Sequence, residues 1–199
     1  MTHTSTSISS TVAPPLRLAV VVGSSRQGRY APVVADWFLA RAEARPDLLV
    51  TSVDVGALDL PHTFGAPAPG AADTRAALAD ADAFVIVTPE YNHSYPAALK
   101  NLIDAHGREW QAKPVGFVSY GGMSGGLRAV EHLRGVFAEL HAVTVRDTVS
   151  FHNPWRSEDA PGGPVAGGEA DTAATTLLDQ LVWWGEALRA ARAVRPYGR

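Results

Sequence analysis

Apolar residues along this chain fall into short continuous runs separated by stretches of helical spacing. Leu16–Val22 reads LRLAVVV, as expected of a parallel strand buried on both faces, and it breaks at Gly23. Val33, Val34, Trp37, Phe38 and the stem of Arg41 then recur at helical intervals, with Pro32 tolerated in the first turn. The same alternation predicts further strands over 48–55, 83–87, 115–119 and 142–149. Helices are expected over about 71–79, 95–105, 127–140 and 171–193, the last with Asp171 as a candidate N-cap. Residues 56–70 and 153–168 are rich in Gly and Pro and read as long loops.

Five strands, each followed by a helix, imply an α/β three-layer sandwich with right-handed crossovers around a five-stranded parallel sheet. A sheet of this size favours the order 2-1-3-4-5, which brings strands 1, 3 and 4 together at the switch point. Ligands bind at the carboxyl ends of such strands, so the loops after strands 1, 3 and 4 carry the functional information.

Composition narrows the classes. A formal charge of −3 and a pI near 6.1 give no general attraction to nucleic acid or anionic membranes, and no apolar run is long enough to span a bilayer. The chain has no cysteine, which removes disulfides, thiolate nucleophiles and thiolate metal sites, and makes the cytoplasm the simplest location. Any redox chemistry must then be carried by a bound cofactor. Residues 1–14 begin Thr/Ser-rich, without a basic start or apolar middle, and read as a disordered leader. Residues 15–199 are expected to form a single domain.

The first loop is Gly23-Ser24-Ser25-Arg26-Gln27-Gly28-Arg29. Small residues let its backbone N–H groups turn toward one point, the next helix adds a favourable field, and two arginines supply charge-assisted donors. It matches neither the dinucleotide nor the nucleoside-triphosphate pattern, so a monophosphate fits better than a pyrophosphate. The second loop, Thr88 to Pro96 (TPEYNHSYP), is stiffened by two prolines, and its backbone and amide groups suit the polar edge of a flat heterocycle that Tyr91, His93 and Tyr95 could flank. The third, Tyr120-Gly121-Gly122-Met123-Ser124-Gly125-Gly126, has four glycines that permit close approach of backbone to ligand.

GSSRQGR, PEYNHSYPAALKNLID and SYGGMSGGLRA together resemble the signatures of NADPH-dependent FMN reductases, a flavodoxin-like family that includes quinone, chromate and azo-dye reductases. The resemblance runs from about Leu16 to Phe151. It implies a flavodoxin-like FMN-binding domain, with Ser24, Arg26 and Arg29, beside Gly28 and Tyr30, around the FMN phosphate. Pro89, Glu90, Tyr91 and Asn92, with His93, would line the isoalloxazine, and Tyr120, Gly121, Gly122 and Ser124 would complete the pocket. It further implies NADPH or NADH as donor, with hydride passing to the flavin and electrons then to a quinone, azo compound, metal oxyanion or free flavin. A flavin-dependent monooxygenase is a possible partner. A homodimer or homotetramer is implied, with Leu99, Leu102 and Ile103 as candidates for its contact as well as for packing on the sheet. No side chain is required as general acid or base.

Two other readings compete. A flavodoxin-type electron carrier shares the fold, although such carriers have arginine-free phosphate loops and strongly acidic surfaces. Gly122 to Gly126 also fits G-x-S-x-G, the nucleophile elbow of a serine hydrolase, with Ser124 followed by Asp147 and His152 in chain order. Metal chemistry is poorly supported, because the seven histidines are scattered; His106, His132 and His141 are expected at helix ends or on helix faces. Trp183 and Trp184 read as core or interface aromatics.

Overall fold

Five parallel strands pair in the order 2-1-3-4-5: β1 (Leu16–Val22), β2 (Leu48–Asp54), β3 (Ala83–Pro89), β4 (Pro114–Gly121) and β5 (Val143–His152). The computed structural model describes residues 14–60, 71–156 and 168–198; the expected leader, except for its last residue, and parts of both long loops lie outside them. Among the described residues, five α-helices connect and follow the strands: α1 (Ala31–Glu43), α2 (Ala71–Asp80), α3 (Ala97–Ala105), α4 (Leu127–Glu139) and α5 (Glu169–Val194). This is the flavodoxin-like sandwich expected from the sequence.

Strand residues alternate between two cores. Leu18, Val20, Val85, Val118 and Val149 face α1 and α5, where Val34, Phe38, Leu177 and Leu181 meet them. Ala19, Val21, Ile86 and Phe117 face the other layer, against Leu78 of α2, Leu102 and Ile103 of α3, and Leu133 and Phe137 of α4. Leu99, Leu102 and Ile103 are all fully buried, so this core consumes the side chains considered for a subunit contact. Tyr95, which was expected to flank a ligand ring, packs at the edge of the same core.

Three strands run further toward their carboxyl ends than the apolar runs suggest. The extra residues include Thr88 and Ser150, whose hydroxyls find acceptors within the chain: Thr88 bonds the Pro89 carbonyl, and Ser150 donates to the Gly125 carbonyl at 2.9 Å, as Ser119 of the expected run does at the same distance. Proline is tolerated at the last position of β3, and the next amide, that of Glu90, continues the ladder to the Tyr120 carbonyl at 3.0 Å.

The edge strand β5 is irregular between Thr144 and Thr148, where its register against β4 shifts. Polar groups left over there are claimed from both layers: Arg134 of α4 donates to the Val145 and Arg146 carbonyls, and the Asp147 amide donates to Gln180 of α5.

Several helix ends differ from expectation. Pro96 is the extended N-cap of α3, because its ring cannot supply an interior helical donor. Gly168 caps α5, and Asp171 lies inside the first turn, 2.5 Å from Arg41 of α1. His106 caps α3, His132 lies on α4 and His141 follows it, as expected. Trp183 and Trp184 are not core residues; they stack edge-to-face on the outer side of α5, 64% and 38% exposed.

Candidate active site

The first loop leaves the carboxyl end of β1 at Gly23, whose amide donates to the Val87 carbonyl of β3 at 2.8 Å. A Cβ there would lie 2.9 Å from Leu99 and 3.1 Å from that carbonyl, so a larger residue would have to displace both. The turn closes through Arg29 N–H to the Arg26 carbonyl at 3.1 Å, with Gly28 at φ +66°. Among the described residues, the amides of Ser24 to Gly28 donate to no protein acceptor. They precede α1, whose N-cap, Tyr30, supplies no side-chain bond. A row of unpaired N–H groups and a helix N-terminus together favour an anion.

The cationic side chains of this loop differ. Arg26 is exposed and, among the described residues, has no ion-pair partner. Arg29 forms a two-point pair with Asp54, at 2.5 and 2.6 Å, and donates to the Ser24 carbonyl as well. Its pKa is raised, chiefly by the bond to Asp54. Ser24 itself is fully buried, with its hydroxyl 3.0 Å from that of Tyr91.

The second loop is a two-residue reversal. Tyr91 and Ser94 exchange backbone bonds of 2.8 and 3.0 Å across Asn92 and His93, which have φ of +50° and +68°. Positive φ at both central residues is the hairpin turn that Asn tolerates best. Asn92 and His93 thus occupy its tip, and His93 meets Arg128 of α4. Glu90 reaches the same helix end, accepting from the Ser124 hydroxyl and from the Arg128 amide. It thereby caps α4, whose own N-cap, Gly126 at φ +91°, has no side chain to do so.

In the third loop, a Cβ on Gly122 would meet only Asn153, at 3.7 Å, so the backbone there is open to a ligand. Tyr120 is buried, and that burial holds its hydroxyl well above the usual phenol range, hence protonated. Tyr30 is raised for the same reason.

These loops enclose a cavity of about 460 Å³, within the roughly 300–1,000 Å³ of small-molecule sites. Arg26, Gly28, Arg29 and Tyr30 line it from the first loop, Pro89, Glu90 and Tyr91 from the second, and Tyr120, Gly121 and Gly122 from the third. Ser24, Asn92, His93 and Ser124, also expected at the site, are not among the lining residues. Two lining residues were missed in the sequence, Gln27 and Trp155. Trp155 follows β5 directly and sits edge-to-face with Tyr30 at 6.2 Å; a Pro-Trp pair just past the fifth strand was the available signal. A larger cavity, about 840 Å³ around Lys113, His141 and Arg192, lies at the amino end of β4, away from the strand ends where such folds bind ligands.

The hydrolase arrangement is not assembled. Ser124 is held by Glu90, whereas Asp147 is engaged by Gln180 and by Arg146 at 2.7 Å. Among the described residues no cluster of His, Asp and Glu could hold a metal ion, and no helix is long and apolar enough to cross a membrane.

Residues 16–156 match the NADPH-dependent FMN reductase family, and the chain belongs to it. It is 30% identical over 182 residues to a 2-hydroxy-1,4-benzoquinone reductase of a Burkholderia species, covering 85% of this chain and 96% of that protein. It is 37% identical over 120 residues to an NAD(P)H-dependent FMN reductase of Schizosaccharomyces pombe, covering 55% of this chain and 60% of the relative. Among solved structures, the flavoenzyme NAD(P)H:(acceptor) oxidoreductase FerB from Paracoccus denitrificans superposes with a TM-score of 0.70 at 27% identity, over 86% of this chain and 98% of that one. The class is therefore that of an FMN-dependent, NAD(P)H-linked oxidoreductase.

Proposed function

We propose that residues 15–199 form one FMN-binding domain in which electrons pass from NAD(P)H through the flavin to a small quinone-type acceptor. The observation that carries this reading is the row of amides from Ser24 to Gly28 and the exposed Arg26, all without a partner among the described residues, at one end of a cavity walled by tyrosines and glycines. The donor set fits the cofactor: an anion site lies at one end, and aromatic and open-backbone walls lie at the other. The amides and Arg26 would hold the phosphate. Pro89, Glu90 and Tyr91 would border the ring system from one side, with Tyr120, Gly121 and Gly122 on the other and Trp155 at the mouth.

When bound, FMN supplies the two-electron chemistry by accepting hydride and releasing electrons to the acceptor. The chain's own residues bind and orient it. Glu90 fixes the second loop to α4, Tyr91 and Ser24 tie the first loop to the second, and Gly122 leaves room for close approach of a ring. Quinone as acceptor follows the Burkholderia relative.

Finer features belong to the same proposal. The protein acts in the cytoplasm, in keeping with a cysteine-free chain. It works as a homodimer or homotetramer, and a flavin-dependent monooxygenase is a candidate partner where reduced flavin leaves the site. Met123 of the third loop and Leu127 just after it, 91% and 45% exposed, supply the apolar part of the subunit contact. Anaerobic mixing of FMN-loaded protein with NADPH, then with 1,4-benzoquinone, tests the reaction. Reduction of the quinone at the expense of NADPH supports it, and absence of transfer from either nucleotide contradicts it.

A further inference from the structure

Asp54, at the end of β2, grips both terminal nitrogens of Arg29, at 2.5 and 2.6 Å. The same carboxylate accepts the Gly56 amide at 2.9 Å. The fit is close: a Cβ on Gly56 would lie 2.0 Å from the guanidinium. From this clamp Arg29 donates to the carbonyl of Ser24, whose buried hydroxyl meets Tyr91. A continuous chain of polar contacts, Asp54–Arg29–Ser24–Tyr91, therefore joins the end of β2 to the first loop and the first loop to the second.

The two arginines present different charges to the cavity. The Arg29 side chain is 19% exposed and its charge is offset by a carboxylate within hydrogen-bonding distance. Arg26 is exposed and offset by nothing among the described residues. An arriving phosphate gains a full charge from Arg26 but meets a neutral pair at Arg29, whose fork is already filled.

We propose that Arg29 is a positioning residue: clamped by Asp54, it fixes the Ser24 carbonyl and so the shape of the phosphate turn, while Arg26 meets the phosphate. The assignment rests on the FMN reading above.

Asp54→Asn decides between roles by the sign of its effect. With the clamp loosened, FMN binds about tenfold more weakly, even though a negative charge near the phosphate is gone. A phosphate-binding Arg29 would instead be freed by this substitution, and FMN would bind more tightly. Arg29→Lys keeps the charge but loses the fork, so it matches Asp54→Asn, and the double variant is no weaker than either single one. Arg26→Gln narrows the preference for FMN over riboflavin, which lacks the phosphate. Equilibrium titration of flavin-free protein with both flavins reads these effects. Tighter FMN binding in Asp54→Asn, or wild-type binding in Arg29→Lys, overturns the proposal. Amide hydrogen exchange over residues 23–30 in flavin-free protein tests the clamp directly: it is faster in both variants, and unchanged exchange overturns the proposal. That readout stands even if the wild-type protein binds no FMN, an outcome that would contradict the cofactor reading instead.

Discussion

Glu90 and Arg128 join the second loop to the first turn of α4, with Glu90 Oε1 2.9 Å from the guanidinium Nε and Oε2 3.2 Å from the Arg128 amide. The carboxylate stands where a helix N-terminus favours negative charge and where the helix has no cap of its own. Glu90→Gln preserves the shape but removes the charge. It is expected to destabilise the fold by about 1–2 kcal/mol, discounted for the half-open arginine, and to lower Tm by about 3–6 °C. Thermal melts of flavin-free protein check this; an unchanged Tm would mean the pair contributes nothing.

Two glycines of positive φ should respond unequally to alanine. Gly28, at +66°, has open space at its Cβ position, so Gly28→Ala bears only the left-handed backbone cost of about 1–2 kcal/mol. Gly126, at +91°, would place a Cβ 2.7 Å from Ser119 Cβ and 2.8 Å from the Tyr120 amide. Gly126→Ala adds overpacking of about 1–3 kcal/mol to the backbone cost. Urea denaturation of both variants gives the comparison, and equal losses would contradict the packing argument.

How much of this was legible in the sequence depended on whether the signal was local. Leu16–Val22 is apolar at every position but Arg17 and is followed by a glycine, so β1 could be read to the residue. Thr88 and Ser150 look like loop residues but stay in their strands, because the chain itself satisfies their hydroxyls. The three loops that line the cavity were identifiable because the strand order brings them to one end of the sheet. The division of labour between Arg26 and Arg29 was not, because it depends on Asp54, brought beside the first loop by the pairing of Val22 with Asp54. Trp155 was hidden for a similar reason: its place in the cavity follows from β5 lying next to β4.

The burial of α3 separates stability from assembly. Leu102 is fully enclosed, so Leu102→Ala should cost about 2–5 kcal/mol and leave the oligomeric state of the folded protein unchanged. Met123→Lys, at an exposed position, should leave stability within about 0.5 kcal/mol and shift sedimentation toward the monomer. The reverse pattern would place the contact on α3.

Lys113 carries a pH signature remote from the cavity. Burial pushes its amine down to about 8, while its nitrogen donates to the Leu78 and Ala79 carbonyls at the end of α2. Between that value and the unfolded lysine value near 10.4, the unfolded chain binds more protons than the folded one, so stability rises with pH. Relative to Lys113→Met, the wild-type protein should gain about 2 kcal/mol between pH 7 and pH 9.5. Denaturant titrations of both proteins at the two pH values measure the gap; a constant gap would mean that the lysine is not depressed.

The central claim is that the cavity at the ends of β1, β3 and β4 holds FMN for reduction by NAD(P)H. Its most direct test is the visible spectrum of protein mixed with FMN and desalted, recorded before and after anaerobic addition of NADPH. Flavin bands that survive desalting and then bleach are the predicted result. Protein that retains no flavin and shows no binding on titration, or that holds flavin which neither NADPH nor NADH bleaches, would contradict it.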